Sequence, residues 1–280
     1  MKNIIDAIGT LLRRNEFNLL NSHGGNNRAN NMGEALEIYA KNLFADSVDC
    51  SESERLEKWA ETFSYIGNNN NPPDFMLKLG DAVEVKKIES NDAALALNSS
   101  YPKHTLKSSS TLISNACRDA EDWSEKDMLY VVGVVTNNKL KHLCMVYGRD
   151  YCASDECYER IRQKIKDGVE SIPCVEFAPT KELGRVNRVD PLGTTYLRIR
   201  GMWHIENPWR VFSYVYRRDF QAAFNFMCII DLEKWEQLEN RNEIVKLQAS
   251  HKTLKIFDVN VKNPDNPCKL RKSKLICYKF

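Results

Sequence analysis

No run of eighteen apolar residues occurs in the 280-residue chain, so no segment reads as a membrane-spanning helix. Nor is there a Cys-x-x-Cys pair. The nine cysteines (50, 117, 144, 152, 157, 174, 228, 268, 277) are odd in number and scattered, which argues against a disulfide framework and against a zinc ribbon. Reduced, core-packed thiols in the cytoplasm are the expectation. The five histidines, His23, His104, His142, His204 and His251, show no metal-ligand spacing. No glycine-rich cofactor loop follows a strand, which speaks against a methyltransferase. Internal repeats and long low-complexity linkers are also absent. Asp6 and the Arg13-Arg14 pair interrupt the apolar N-terminus. Ile4, Ile5, Ile8, Leu11 and Leu12 there follow the spacing of an amphipathic helix, not of a signal peptide.

At 42% hydrophobic and 28% charged the chain has the composition of a soluble globular protein. Its net charge of +2 hides an asymmetry. Residues 1–100 hold ten basic and fifteen acidic side chains, residues 101–280 thirty and twenty-three. An acidic half able to hold metal, followed by a basic half able to hold phosphate, suits a nucleic-acid enzyme.

The pattern predicts helices over about 3–19, 32–45 and 51–63, a loop through Asn68-Asn69-Asn70-Asn71, a hairpin over about 74–89 and a helix over about 110–122. Strands are expected at Met128–Thr136 and Lys141–Tyr147. A helix carrying Tyr158, Ile161, Ile165 and Val169 follows, then a β-rich stretch from about Thr194 and a helix over Asp231–Gln248. This order implies an α/β fold, a mixed sheet flanked by helices.

The hairpin carries the chemistry. Side chains alternate across a strand, so Glu84 and Lys86 share one face while Val83 and Val85 enter the core. Asp74 joins the polar face only if the turn holds an odd number of residues. A three-residue loop at 79–81, pairing Met76 with Glu84 and Asp74 with Lys86, unites all the apolar residues on one side. Two convergent carboxylates, with the Val85 carbonyl as a further oxygen, suit Mg²⁺. Lys86 would orient water and stabilise a pentacoordinate phosphate. On the helix opening at Asn30-Asn31-Met32, Glu37 and Glu34 lie three apart, and either is placed to approach from the side.

Several segments resemble the NgoPII family of type II restriction endonucleases. They are Asn-Pro-Pro-Asp ending at Asp74, Asp81–Ser90, Ala94–Ser100, Ala116–Glu121, Gly184–Asn187 and Leu197–Trp203. The resemblance runs from the first helix to about residue 215. It implies the PD-(D/E)xK nuclease fold and cleavage of double-stranded DNA at GGCC with Mg²⁺, with Mn²⁺ able to substitute. It also implies Asp74 and Glu84 as metal ligands, Lys86 as the catalytic lysine and Glu37 as a helix-borne glutamate. A single nuclease domain is expected over 1–280, its catalytic core mainly in 1–175 and a recognition region at about 180–220.

A GC palindrome sets its own demands. Guanine offers N7 and O6 to a bidentate Arg or to Lys, and cytosine N4 seeks an oxygen acceptor. Arg198 and Arg200, at i and i+2 on an expected strand, with Arg185, Asn187 and Arg188 of the preceding loop and the nearby Trp203, form the expected recognition surface. Asn98, Ser99, Ser100 and Lys103 are a second DNA-contacting group. The basic tail (Lys269, Arg271, Lys272, Lys274, Lys279) is expected to touch phosphate or to be solvated. Palindromes favour two-fold symmetric readers, hence a homodimer. A structure-specific repair nuclease and a non-catalytic DNA-binding protein are the rival readings.

Overall fold

The computed structural model describes residues 1–14, 17–19, 28–68 and 71–280, the side chains at 28–32 and 68 excepted. His23, Asn69 and Asn70, and residues 15 and 16 of the expected first helix, lie outside them. Three helices come first: α1 (Ile4–Arg14), α2 (Arg28–Ala45) and α3 (Glu52–Thr62). The apolar stripe of α1 is buried along its whole length. The expected extension to residue 19 does not occur, because Phe17 and Leu19 instead bond the backbone of Leu140 and Asn138. A capping box opens α3: Ser51 Oγ accepts from Glu54 N, and Glu54 Oε2 accepts from Ser51 N.

Strands β1 (Phe63–Asn68), β2 (Asn71–Leu77) and β3 (Ala82–Ile88) follow, then β4 (Leu95–Ala96) and β5 (Thr105–Lys107). The helix expected at 110–122 shrinks to one turn, α4 (Asn115–Arg118). Ser and Asn side chains there compete with the helical ladder. Ser114 caps Cys117 N, and the Arg118 guanidinium binds the Ser108 and Ser110 carbonyls.

Next come β6 (Glu125–Thr136), β7 (Lys139–Tyr147), α5 (Gly148–Tyr151) and α6 (Asp155–Glu170). Short strands β8 (Glu176–Phe177), β9 (Gly184–Asn187) and β10 (Leu197–Ile199) make a small antiparallel sheet, and β11 (His204–Ile205) pairs with β4. After α7 (Pro208–Val211) the chain forms β12 (Asn225–Asp231), α8 (Leu232–Gln237), α9 (Arg241–Ser250), β13 (Lys255–Asn263) and β14 (Asn266–Lys279). The helix expected over Asp231–Gln248 is thus two helices, broken where the Asn240 side chain turns to Asn3, just ahead of the first helix, and to Asp6 within it. The basic tail is a sheet strand. Its Lys274 meets Asp258 directly across the ladder and its Lys279 meets Asp219.

The main sheet runs β1-β2-β3-β6-β7-β12-β14-β13, with β5 beside β6. It is parallel at β3–β6 and β7–β12 and antiparallel elsewhere, the mixed sheet expected from the sequence. Both faces are covered, so alternate residues enter two cores. Val83, Val85, Leu129 and Val131 pack beneath α1 and α2, whereas Ala82, Tyr130 and Val132 face Trp209 and Phe212. One glycine sets the distance of α2. A Cβ on Gly133 of β6 would lie 2.7 Å from Leu36, so the bare backbone seats that leucine and fixes its neighbour Glu37.

Candidate active site

The β2–β3 turn is odd, as strand parity requires, but shifted by one residue. Leu77 N donates to the Asp81 carbonyl, so the loop is Lys78-Leu79-Gly80, with Leu79 in the left-handed region. Met76 therefore pairs with Ala82 and Phe75 with Val83, not Met76 with Glu84. A two-residue offset keeps every face. Continued by one pair beyond Phe75–Val83, this register sets Asp74 toward Glu84 instead of Lys86.

The Val85 amide hydrogen goes to Asp74 Oδ2 at 2.6 Å, so a side chain of β2 holds the backbone of β3 there. Glu84 Oε1 accepts from Lys86 Nζ at 2.5 Å, while Glu84 Oε2 is buried and has no hydrogen-bond partner among the described residues. Glu37 on α2 accepts from Lys41 Nζ at 2.5 Å. Glu34 is exposed.

The electrostatics fit a site built for positive charge. Burial first, then the Glu84 carboxylate, push the Asp74 carboxyl well above its ordinary range. Lys86 pulls it down less and Glu37 raises it further. Burial disfavours the Lys86 ammonium, but Glu84 and then Asp74 overcome this and raise its pKa. Lys86 is therefore a fixed cation at neutral pH.

No cluster of three or more His, Cys, Asp or Glu side chains able to hold a metal occurs among the described residues. Two carboxylates are what the side chains present. The unpartnered Glu84 oxygen and the crowded Asp74 fit a hard divalent cation by the chemistry of the donor set.

Asp74, Glu84 and Lys86 open into a cavity of about 600 Å³. Asn98, Ser99, Ser100, Lys103, Arg200 and Trp203 line the same cavity, which gathers six of the sequence candidates around the acidic centre. The β4–β11 pairing and the Leu97–Trp203 and Asn98–Trp203 backbone bonds hold the two segments together. Lys103 is buried there. Its backbone is gripped by the Tyr130 hydroxyl and its ammonium lies 3.4 Å from the Tyr101 ring centre. No ion-pair partner for it occurs among the described residues. Burial pulls its pKa down to about 8, opposed by Asp155 and Glu159.

Arg185, Asn187, Arg188 and Arg198 do not line this cavity. Arg185 stacks near Tyr196, Arg188 lies 3.9 Å from Glu176, and Arg198 grips Glu182. Sequence reasoning did not single out Glu182 or Arg162 of the cavity wall; Glu182 reads there as one more charge of the recognition region, and Arg162 comes from the remote helix α6.

The chain matches the family model described as NgoPII restriction endonuclease over residues 2–262, beyond the limit of about 215 visible in the motifs. It is 54% identical over 277 residues to the Type II restriction enzyme NgoPII of Neisseria gonorrhoeae, with 99% of each chain covered. No solved structure matches it. No described helix is long and apolar enough to cross a membrane.

Proposed function

The chain belongs to the NgoPII family of restriction endonucleases and is a type II site-specific deoxyribonuclease, and on that premise we propose that it cuts double-stranded DNA at GGCC with Mg²⁺ at Asp74, Glu84 and Val85. The observation that carries this reading is the shared cavity. Two carboxylates and a permanently charged lysine stand on the same wall system as Lys103, Arg200 and the Asn98–Ser100 segment.

Asp74, Glu84 and the Val85 carbonyl would hold Mg²⁺, with Mn²⁺ able to substitute. When bound, such a cation lowers the pKa of water and neutralises charge growing on a phosphate. Lys86, kept protonated by Glu84 and Asp74, donates to the attacking water or to a phosphoryl oxygen and does not act as a base. Glu37, held by Lys41, approaches from α2 and accepts a hydrogen bond from that water. Lys103, Asn98, Ser99 and Ser100 contact the sugar-phosphate backbone. Arg198, Arg200, Arg185, Asn187, Arg188 and Trp203, in the region of about 180–220, face the bases. Two copies related by a two-fold axis would place one site on each strand.

Digestion of a sequenced plasmid with Mg²⁺, followed by end mapping, tests the assignment. Discrete fragments ending at GGCC are expected. Lys86→Ala should retain specific binding and lose cutting by about 10³-fold or more. Cutting independent of sequence, or undiminished cutting by Lys86→Ala, would sink it.

A further inference from the structure

Glu182 receives two arginines at once. Arg198 Nε donates to Oε2 at 2.9 Å and Arg198 Nη2 to Oε1 at 2.6 Å, while Arg200 Nε also donates to Oε1. The Glu182 side chain is 14% exposed, against 51% and 56% for the two arginines. The carboxylate thus lies beneath two guanidinium groups that face outward.

Which hydrogens are used decides what remains. A guanidinium carries five N–H donors in a rigid fork. Arg198 spends its inner edge, Nε and one hydrogen of Nη2, and Arg200 spends Nε alone. Both keep the outer Nη1–Nη2 edge, and that edge matches the N7 and O6 acceptors of guanine. Arg198 lies on β10 and Arg200 one residue past its end, and their bonds to the same carboxylate set both guanidinium groups on one side of the segment. Glu182 and Arg200 line the cavity that also holds Asp74, Glu84 and Lys86.

We propose that Glu182 is a specificity-determining positioning residue that orients Arg198 and Arg200 so that their outer edges read two successive guanines of the cleaved site. The inference rests on the proposed recognition role of those arginines. It adds a reason for it: long side chains otherwise lose conformational entropy on binding, and a shared carboxylate removes that cost before DNA arrives. It also offsets the repulsion between Arg198 and Arg185, which face each other across the β9–β10 ladder.

The experiment compares Glu182→Ala and Glu182→Gln with wild type. Single-turnover cleavage is measured on duplexes carrying the mapped site and on duplexes with one G·C pair replaced by A·T. Thermal melting is followed in parallel. Both variants should fold as wild type does, since the contacts are at the surface. Glu182→Ala should lose about tenfold or more of the ratio of cognate to substituted cleavage. Glu182→Gln, which keeps one acceptor, should fall between.

A ratio unchanged in Glu182→Ala would overturn the inference. So would faster cognate cleavage, which would mean that the carboxylate competes with DNA for the arginines. Arg198→Ala and Arg200→Ala separate the two levels. If they too leave the ratio unchanged, the recognition reading has failed; if they lower it while Glu182→Ala does not, only the positioning role has failed.

Discussion

Asp74 Oδ2 accepts the amide hydrogen of Val85 at 2.6 Å, a side-chain bond from β2 to the backbone of β3. The residue thus supports the strand and supplies charge to the site, two roles that substitution can divide. Its carboxyl is held well above the usual range, first by burial and then by Glu84. A carboxyl whose folded pKa is raised stays protonated as pH climbs past its unfolded value, so its charging costs stability once pH exceeds that value.

Asp74→Asn keeps an oxygen for Val85 and removes that cost. Without added metal at pH 7 to 8 it should melt at or above the wild-type temperature, while cleavage falls by about 10³-fold or more. Asp74→Ala should lose cleavage and also melt lower. Differential scanning calorimetry and single-turnover cleavage read the two effects. An Asn variant that melts well below wild type would contradict the electrostatic account.

Gly133 and Leu36 make a steric prediction. Gly133→Ala should cost about 1–3 kcal/mol in urea unfolding by overpacking, and lower cleavage because Glu37 moves with α2. Adding Leu36→Ala should restore part of both. A lack of coupling between the two substitutions would argue against the contact.

Lys103 has a depressed pKa of about 8, caused chiefly by burial and opposed by Asp155 and Glu159, with Arg162 and Lys107 adding to the depression. It is charged below that value and neutral above it. In the non-cutting Lys86→Ala background, DNA binding should weaken by about tenfold between pH 7 and 9. Lys103→Met should bind weakly at pH 7 and show a flat profile over the same interval. Titration by fluorescence anisotropy measures both.

His142 sits against Trp209 and Phe220, and burial, then Arg218, lower its pKa to about 4. Its folded pKa lies below the unfolded value of 6.5, so the unfolded state binds more protons as pH falls from 6.5 to 4. Stability should decline across that window by roughly 2 kcal/mol from this residue, and His142→Gln should flatten the decline. Urea midpoints between pH 7 and 4.5 are the measurement.

The alternation of Val83 and Val85 with Glu84 and Lys86 is a property of the sequence, and with it the requirement that the hairpin turn be odd. The apolar runs at β6 and β7 and the stripe of α1 were legible for the same reason: each is a local periodicity. The register itself was not legible. Two registers that differ by two residues bury the same side chains, so hydrophobicity cannot separate loop 79–81 from loop 78–80. The Leu77–Asp81 bond and the fit of β3 beside β6 chose between them. The C-terminal hairpin was hidden because Lys274 and Asp258 read as solvated charges until strand pairing sets them face to face. Asp74, Glu84 and Lys86 were thus determined by the sequence, as residue types on one face. That Asp74 takes the Val85 amide hydrogen, and that Glu182 lies under Arg198 and Arg200, only the tertiary structure decided, because those relations depend on which strand end meets which.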